Sequence, residues 1–241
     1  MSNNRKGQLW LIPITIGSDN PQSYQPHENI EVIGRLQHFV VENARTARQY
    51  IKHLIPTADI SSLEIVEIDK HDGYKYPKEE VMNWLQSGLD VGLMSEAGCP
   101  AVADPGSLVV RDCHKCGFKV NPLVGPSSIL LSLMSSGFSG QSFCFHGYLP
   151  FDAKLRKKKL QEFVQRASGG ETQIFIEAPY RNDKLIQELA STLPAQIEIC
   201  VAIDLTTEQE EIHRYTPSEW LKRLKGGFTC HKRPAIFLLG V

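Results

Sequence analysis

Two α/β lobes are predicted for this chain, and three features of the sequence lead to that prediction. Apolar runs of strand length alternate with segments whose apolar residues recur at helical spacing, which is typical of α/β architecture with a largely parallel sheet. The chain has 241 residues, which is one large domain or two small ones at roughly 150 residues per domain. A run of small residues at 135–142 separates halves of opposite net charge. We therefore place the lobes at residues 1–139 and 140–241.

In the first lobe, each predicted strand is an apolar run bounded by turn residues. These strands are Gln8–Ile14, Phe39–Glu42, Leu63–Ile68, Val91–Ser95 and Phe118–Leu123. Helices are predicted where apolar residues recur at intervals of three and four. They are Ala44–Leu54, Lys78–Gln86, Leu108–Gly117 and Ile129–Met134.

The second lobe repeats the alternation. Its predicted strands are Ser142–Tyr148, Gln173–Glu177, Ile197–Ile203 and Ala235–Gly240, and its predicted helices are Asp152–Arg166 and Asp183–Ala190. Residues 143–241 contain 14 Lys and Arg against 12 Asp and Glu, whereas residues 1–142 contain 12 against 15. The second lobe is therefore mildly basic and the first mildly acidic.

Composition excludes several classes of protein. The net charge is −1, with 22% charged and 41% apolar residues, so the chain is neither disordered throughout nor drawn as a whole to nucleic acid or membranes. No run of 18 apolar residues is present. The apolar stretch Leu9–Ile12 is too short for a signal-peptide core. We expect a cytoplasmic protein with free cysteines and no membrane partner.

Several common catalytic and binding motifs are missing. The sequence contains no G-x-G-x-x-G after its first strand, no phosphate-binding P-loop, no G-x-S-x-G elbow and no H-E-x-x-H. Cys113 and Cys116 have the spacing of a zinc ligand pair but no second pair. We expect no metal site.

Two loops after predicted strands have the composition of ligand-binding loops. The first, Ser95–Gly106, contains two turns rich in Gly and Pro at the carboxyl end of a strand, where open α/β sheets bind ligands. Its other interpretation is a pair of structural turns in which Asp104 caps the next helix. In the second loop, Pro122–Ser128, the serines Ser127 and Ser128 lie where free amide groups favour an anion, or simply cap the helix.

Three segments resemble the motifs of one known family. Ser95–Pro100 and Asp104–Gly106 resemble its S-D-A-G-T-P…D-P-G motif. Pro122–Pro126 resembles P-L-P-G-P, and Phe143–Pro150 resembles F-x-x-x-G-F-L-P. The family is the tetrapyrrole methylase family of S-adenosylmethionine-dependent methyltransferases, and the chain is most similar to its ribosomal RNA small-subunit methyltransferase I branch. The resemblance covers essentially the whole chain.

The resemblance implies that S-adenosylmethionine is bound as methyl donor in a cleft between the lobes, without a metal. In this family the donor lies against the loop after the first strand, the G-x-P loop, the D-P-G turn and the helix start after the G-P loop. The residues that the resemblance assigns to donor binding are Pro13, Ser95, Ala97, Gly98, Cys99, Pro100, Asp104, Gly125, Ser127, Ser128 and Glu177. Backbone-rich loops leave room for adenosine, and helix-start amides suit the methionine carboxylate.

The branch also implies a partner. Ribosomal RNA or the small ribosomal subunit is expected as substrate, and a homodimer as the assembly. The basic run Lys154–Lys159 lies where the family has a basic stretch, which would suit RNA phosphates; it is equally consistent with the solvated face of a helix. Phe175–Arg181 is similar to the family's F-Y-E-S-P-H-R.

A ribose 2′-hydroxyl, the acceptor we expect, needs help to lose its proton. Glu96 is the predicted acid or base, with Glu42 and Asp104 as further carboxylates, and Arg45 and Arg181 are the predicted catalytic cations. Glu42 and Arg45 would alternatively form a surface pair at helix spacing.

The first lobe departs from the family pattern. Asn43 stands where the family has an acid, and Glu96 stands where it has Asp. Two other hypotheses therefore stay open: methylation of a tetrapyrrole or other small molecule, and donor binding without methyl transfer.

Overall fold

Within the described residues, ten strands form two separate five-stranded sheets, one in each half of the chain. The computed structural model describes residues 5–18, 20, 24–70 and 72–241. By their internal contacts they fall into two units divided between Ser127 and Ser128. The prediction of two α/β lobes is confirmed. The division lies earlier than the predicted lobe boundary at 139–140 because the helix at Ser128–Ser136 contacts the second sheet.

The first unit alternates strands and helices. Its elements are β1 (Gln8–Leu11), α1 (His27–Arg35), β2 (His38–Val41), α2 (Ala44–Leu54), β3 (Glu64–Glu67), α3 (Lys78–Gln86), β4 (Val91–Met94), α4 (Ser107–Lys115) and β5 (Lys119–Pro122). All five predicted strands are present; four are shorter than predicted, and β2 has the predicted length but begins one residue earlier. A helix at α1 was not predicted.

The sheet of the first unit is entirely parallel, in the order β3-β2-β4-β1-β5. Helices α1 and α2 pack on one face, where Val32, Ile33 and Ile51 join one buried cluster. Helices α3 and α4 pack on the other face, around Trp84 and Val109. The chain thus leaves neighbouring strands β1 and β4 toward opposite faces of the sheet. In open α/β sheets this arrangement creates a crevice at the carboxyl ends of the two strands.

The second unit contains a mixed sheet. Its elements are α5 (Ser128–Ser136), β6 (Phe143–Tyr148), α6 (Ala153–Ser168), β7 (Thr172–Ile176), α7 (Asn182–Thr192), β8 (Glu198–Ile203), β9 (Glu211–Tyr215), α8 (Pro217–Lys225) and β10 (Ala235–Gly240). Helices α6, α7 and α8 share one buried cluster with Phe175, Val201 and Phe237.

The expectation of a largely parallel sheet is wrong for the second unit. The strand order is β6-β7-β10-β8-β9, and only β6 and β7 pair in parallel. The crossover through α7 does leave β7 and β8 running in the same direction. The final strand β10, however, inserts between them antiparallel, and alternation along the chain does not reveal such an insertion.

Helix α8 and strand β9 were also not predicted. The start of α8 has a capping box, in which Thr216 accepts from the Glu219 amide and the Glu219 carboxylate accepts from the Thr216 amide. That pattern, with Pro217 in the first turn, is a sequence signal that could have located the helix. Strand β9 is a half-buried edge strand, Glu211–Tyr215, whose mostly polar sequence has no apolar run to mark it.

Candidate functional site

The loops after β1 and β4 meet at the crevice of the first unit. The Ile14 amide donates to the Gly98 carbonyl oxygen at 2.9 Å, and the two residues form an isolated antiparallel bridge. Gly98 has a φ of 63°, a left-handed conformation in which a side chain is strained. The predicted donor-binding residues Pro13 and Gly98 therefore belong to two loops joined through the backbone.

The loop after β5 packs directly on the loop after β1. A Cβ atom on Gly125 would lie 2.3 Å from Cβ of Pro13, so only glycine allows this approach. The Cys99 thiol lies 3.5 Å from the Pro126 carbonyl oxygen, and burial raises the pKa of that thiol. A raised pKa disfavours the thiolate, and Cys99 packs between the loops after β4 and β5.

The loop after β4 stores backbone strain. Ala101 and Ala103 have φ values of 65° and 63°, which cost non-glycine residues on the order of 1 kcal/mol each. Helix α4 follows Gly106, and no side chain caps its first turn. The interpretation of Asp104 as a helix cap is therefore wrong. Strained positions of this kind cluster at ligand-binding and catalytic loops.

A buried polar network connects the loops after β1 and β5, and sequence reasoning missed it. Gln25 donates to the Pro13 carbonyl oxygen and, at 2.7 Å, to the Tyr50 hydroxyl. Asn29, which is 2% exposed, donates to Gln25 Oε1 at 2.7 Å and to the Val124 carbonyl oxygen at 2.6 Å. Burial raises the pKa of Tyr50. Each polar partner is satisfied only while both loops keep their positions.

Replacing Asn29 by Ala is expected to lower the free energy of unfolding by about 2–3 kcal/mol, because Gln25 and Val124 lose a buried donor. Urea unfolding followed by circular dichroism measures the change. The matched control is Asn83→Ala, since Asn83 is exposed on α3 and should change stability by less than about 0.5 kcal/mol. Equal stability of the two variants would show that the network does not hold the loops.

A lysine joins two carboxylates at the carboxyl ends of β2 and β4. Lys70 Nζ lies 2.7 Å from Glu42 Oε1 and 2.7 Å from Glu96 Oε2. The Glu42 carboxylate also accepts from the Glu96 amide at 2.9 Å. Hydrogen bonds to Glu42 and Glu96 raise the pKa of Lys70 to about 12, so this lysine stays charged. Glu42 pairs with Lys70 and not with Arg45, which excludes the predicted alternative of a surface pair with Arg45.

Asp104, in the loop after β4, has a raised pKa. Burial raises its pKa to about 6, and the charge of Glu42 contributes in the same direction. Lys70 and the Ser95 hydroxyl oppose the shift but do not cancel it. Carboxyl groups tuned in this way are typical of acid–base sites.

The structure brings most of the predicted donor-binding residues together in the first unit. Those at the crevice are Pro13, Ser95, Ala97, Gly98, Cys99, Pro100, Asp104 and Gly125, with Ser127 at the end of the same loop. Arg45 is exposed in the first turn of α2. Asn43, placed where the family has an acid, caps that helix by accepting from the Thr46 amide at 3.1 Å.

The remaining predicted residues lie in the second unit. Ser128 is the first residue of α5. Glu177 is buried, and its Oε2 atom lies 3.3 Å from a guanidinium nitrogen of Arg181 without a hydrogen bond. The Arg181 guanidinium also stacks 4.2 Å from the ring centre of Phe151. These contacts fix the position of the Arg181 guanidinium, and its catalytic role stays a prediction.

In the part of the chain that the structure describes, no three His, Cys, Asp or Glu side chains lie close enough together to bind a metal ion. None of the helices described has both the length and the apolar character needed to cross a bilayer. All six cysteines are free.

The sequence matches the family model of tetrapyrrole (corrin/porphyrin) methylases over residues 27–220. It is also similar to curated proteins named ribosomal RNA small subunit methyltransferase I. The protein from Vibrio cholerae is 32% identical over 205 residues, which cover 85% of this chain and 67% of the relative. The protein from Bacillus subtilis is 31% identical, covering 88% of this chain and 68% of the relative.

Solved structures share the fold at lower sequence identity. Uroporphyrin-III C-methyltransferase from Thermus thermophilus, solved in complex with S-adenosylhomocysteine, superposes with a TM-score of 0.59. It is 16% identical, and the match covers 97% of both chains.

Proposed function

This chain belongs to the tetrapyrrole methylase family of S-adenosylmethionine-dependent methyltransferases, and from that premise we propose that it methylates ribosomal RNA of the small subunit at a ribose 2′-hydroxyl. The named relatives support the RNA substrate, since the similarity to them extends over most of the chain. One observation supports the donor site most strongly: the loops after β1, β4 and β5 contact one another at one edge of the parallel sheet.

The residues at this edge fit the donor. Gly98 and Gly125 leave no side chain where a Cβ atom would contact Ile16 or Pro13. In this proposal, backbone groups of these loops supply the directional hydrogen bonds that the adenosine and methionine portions need in a narrow cleft. In this proposal, Pro13, Gly98 and Gly125 hold the donor.

Bound S-adenosylmethionine supplies a methyl group already activated by its sulfonium, so the chain must mainly align the acceptor and remove one proton. The ribose oxygen forms a bond to the methyl carbon, the carbon–sulfur bond breaks, and the hydroxyl proton goes to a carboxylate. We assign this proton to Asp104, because its pKa of about 6 lies close to working pH. Glu96 is the alternative acceptor, but its carboxylate is engaged by Lys70.

The proposal includes the compartment and the assembly. Small ribosomal subunits are present in the cytoplasm, so the enzyme would act there. A homodimer is the proposed assembly, and sedimentation of the purified chain measures it directly.

The proposed function predicts that purified protein binds S-adenosylmethionine and S-adenosylhomocysteine in calorimetric titration, and transfers a tritiated methyl group to small ribosomal subunits. Nucleoside digestion of the labelled RNA should release a 2′-O-methylated nucleoside. Label transferred only to tetrapyrroles or other small acceptors would establish the small-molecule alternative. Binding of the donor without transfer to any acceptor would contradict both.

A further inference from the structure

Exposed aromatic rings gather at one end of the second unit. Tyr148, Phe151 and Tyr180 have exposed fractions of 66%, 77% and 58%. Tyr148 is the last residue of β6, and Tyr180 lies in the turn after β7. Because β6 and β7 are parallel neighbours, both residues lie at the carboxyl ends of these strands. Phe151 lies close to this end of the sheet, because the guanidinium of Arg181, the residue after Tyr180, stacks on the Phe151 ring.

The contacts around Phe151 fix it in place. Arg156 donates to the carbonyl oxygens of Pro150 and Phe151 at 3.2 and 3.0 Å, and its own guanidinium is paired with Glu188. Arg181 covers one face of the Phe151 ring and is itself oriented by Glu177. With the ring 77% exposed, its second face is available to a ligand. A rigid ring with one open face is a stacking platform.

Three exposed lysines lie on helix α6, which begins two residues after Phe151. Lys154, Lys157 and Lys158 are exposed and share one side of the helix, since they are three and four residues apart. None of them forms an ion pair within the described residues, whereas the neighbouring Lys159 pairs with Glu162. One side of α6 therefore presents three positive charges that have no ion-pair partner within the described residues, on a helix that begins two residues after Phe151.

We propose that Tyr148, Phe151 and Tyr180, with Lys154, Lys157 and Lys158, form the surface that binds a single-stranded segment of the substrate RNA. This inference rests on the proposed function, and it names where the second unit contacts the RNA. Bases stack on the aromatic rings and the lysines contact phosphates, the combination used for unpaired nucleic acid. A second copy of the chain fits less well, because lysine is depleted in protein–protein interfaces, whereas phosphates attract it.

The test measures RNA binding separately from methyl transfer. The probe is a fluorescent single-stranded RNA of about 20 nucleotides, titrated by anisotropy at several salt concentrations. Y148A/F151A is expected to lower affinity by roughly tenfold or more without changing the salt dependence. K154Q/K157Q/K158Q is expected to reduce the slope of log K against log salt by about 2. Each phosphate contact with a single strand contributes roughly 0.7 to that slope.

The matched control is K115Q/K222Q/K225Q, which removes three exposed lysines elsewhere on the chain. It should lose less affinity than the α6 variant. Titration with S-adenosylhomocysteine should give the same Kd for all variants, which shows that they fold. If the aromatic variant and the α6 variant bind RNA with the same Kd as the control, the proposal is overturned. Dissociation of a wild-type dimer by Y148A/F151A, with RNA binding unchanged, would assign the surface to a second copy instead.

Assays on small ribosomal subunits separate this inference from the proposed function. If the wild-type protein binds RNA through this surface but transfers no methyl group, the proposed function fails and the surface stands. If the variants methylate subunits with the wild-type KM, the surface fails and the proposed function stands. A wild-type protein that neither binds nor methylates RNA would overturn both.

Discussion

Asp104→Asn is expected to lower kcat for methyl transfer by about 100-fold or more while leaving the Kd for S-adenosylhomocysteine within a few-fold of wild type. The amide has nearly the same shape as the carboxylate but cannot accept the hydroxyl proton. Because the pKa of Asp104 is about 6, log kcat of the wild type should fall below pH 6 and reach a plateau above it. Single-turnover rates measured from pH 5 to pH 9 test this.

The same variant should become more stable relative to the wild type as the pH rises. The pKa of Asp104 is raised on folding from an ordinary value near 4 to about 6, so between these values the folded chain binds more protons than the unfolded chain. The wild type therefore loses stability as pH rises through this window, and Asp104→Asn does not. The free energy of unfolding of the variant minus that of the wild type should therefore be about 2 kcal/mol larger at pH 8 than at pH 4. This figure allows for the partial exposure of Asp104.

Glu96→Gln distinguishes the two carboxylates. It removes the partner of Lys70 but leaves Asp104 in place, so we expect a smaller loss of kcat and a retained pH plateau. A large loss in Glu96→Gln with an active Asp104→Asn would assign the proton to Glu96 and contradict the mechanism. Glu79→Gln, an exposed change on α3, is the control for charge alone.

Gly125→Ala is expected to weaken donor binding by about 100-fold and to lower the free energy of unfolding by about 1–3 kcal/mol. The added Cβ would lie 2.3 Å from Cβ of Pro13, too close for any packing, so the loops after β1 and β5 must separate. Calorimetric titration with S-adenosylhomocysteine and urea unfolding measure the two effects.

Gly140→Ala is the matched control, because nothing lies within 4 Å of the position its Cβ would take. It should leave donor affinity unchanged and stability within about 0.5–1 kcal/mol of wild type. If Gly125→Ala binds the donor as well as Gly140→Ala does, the close approach of Pro13 and Gly125 does not shape the donor site.

Local sequence patterns located most of the secondary structure. Nine strands were predicted from apolar runs, and α2 and α3 begin and end at the predicted residues. These patterns work because burial and periodicity are properties of neighbouring residues. The edge strand Glu211–Tyr215 was missed for the same reason: it is only half-buried and has no apolar run.

The composition of two loops predicted the candidate site. The Gly and Pro residues of Ser95–Gly106 and Pro122–Ser128 indicated loops that a ligand can approach, and both lie at one sheet edge of the first unit. Asp104 was placed in that site, but its raised pKa was not predicted. That pKa depends on burial and on Glu42, which is distant in sequence.

Sequence patterns predicted the α/β class, most elements and the loops that form the candidate site, because turn residues and apolar periods act over a few neighbouring residues. The pairing of the strands is visible only in the folded chain, as are the contacts of Lys70 with Glu42 and Glu96. The same holds for the connection of two loops by Gln25 and Asn29 and for the stacking of Arg181 on Phe151. Each of these contacts joins residues from separate elements. Their energies depend on distance and burial in the folded chain, which no local pattern encodes.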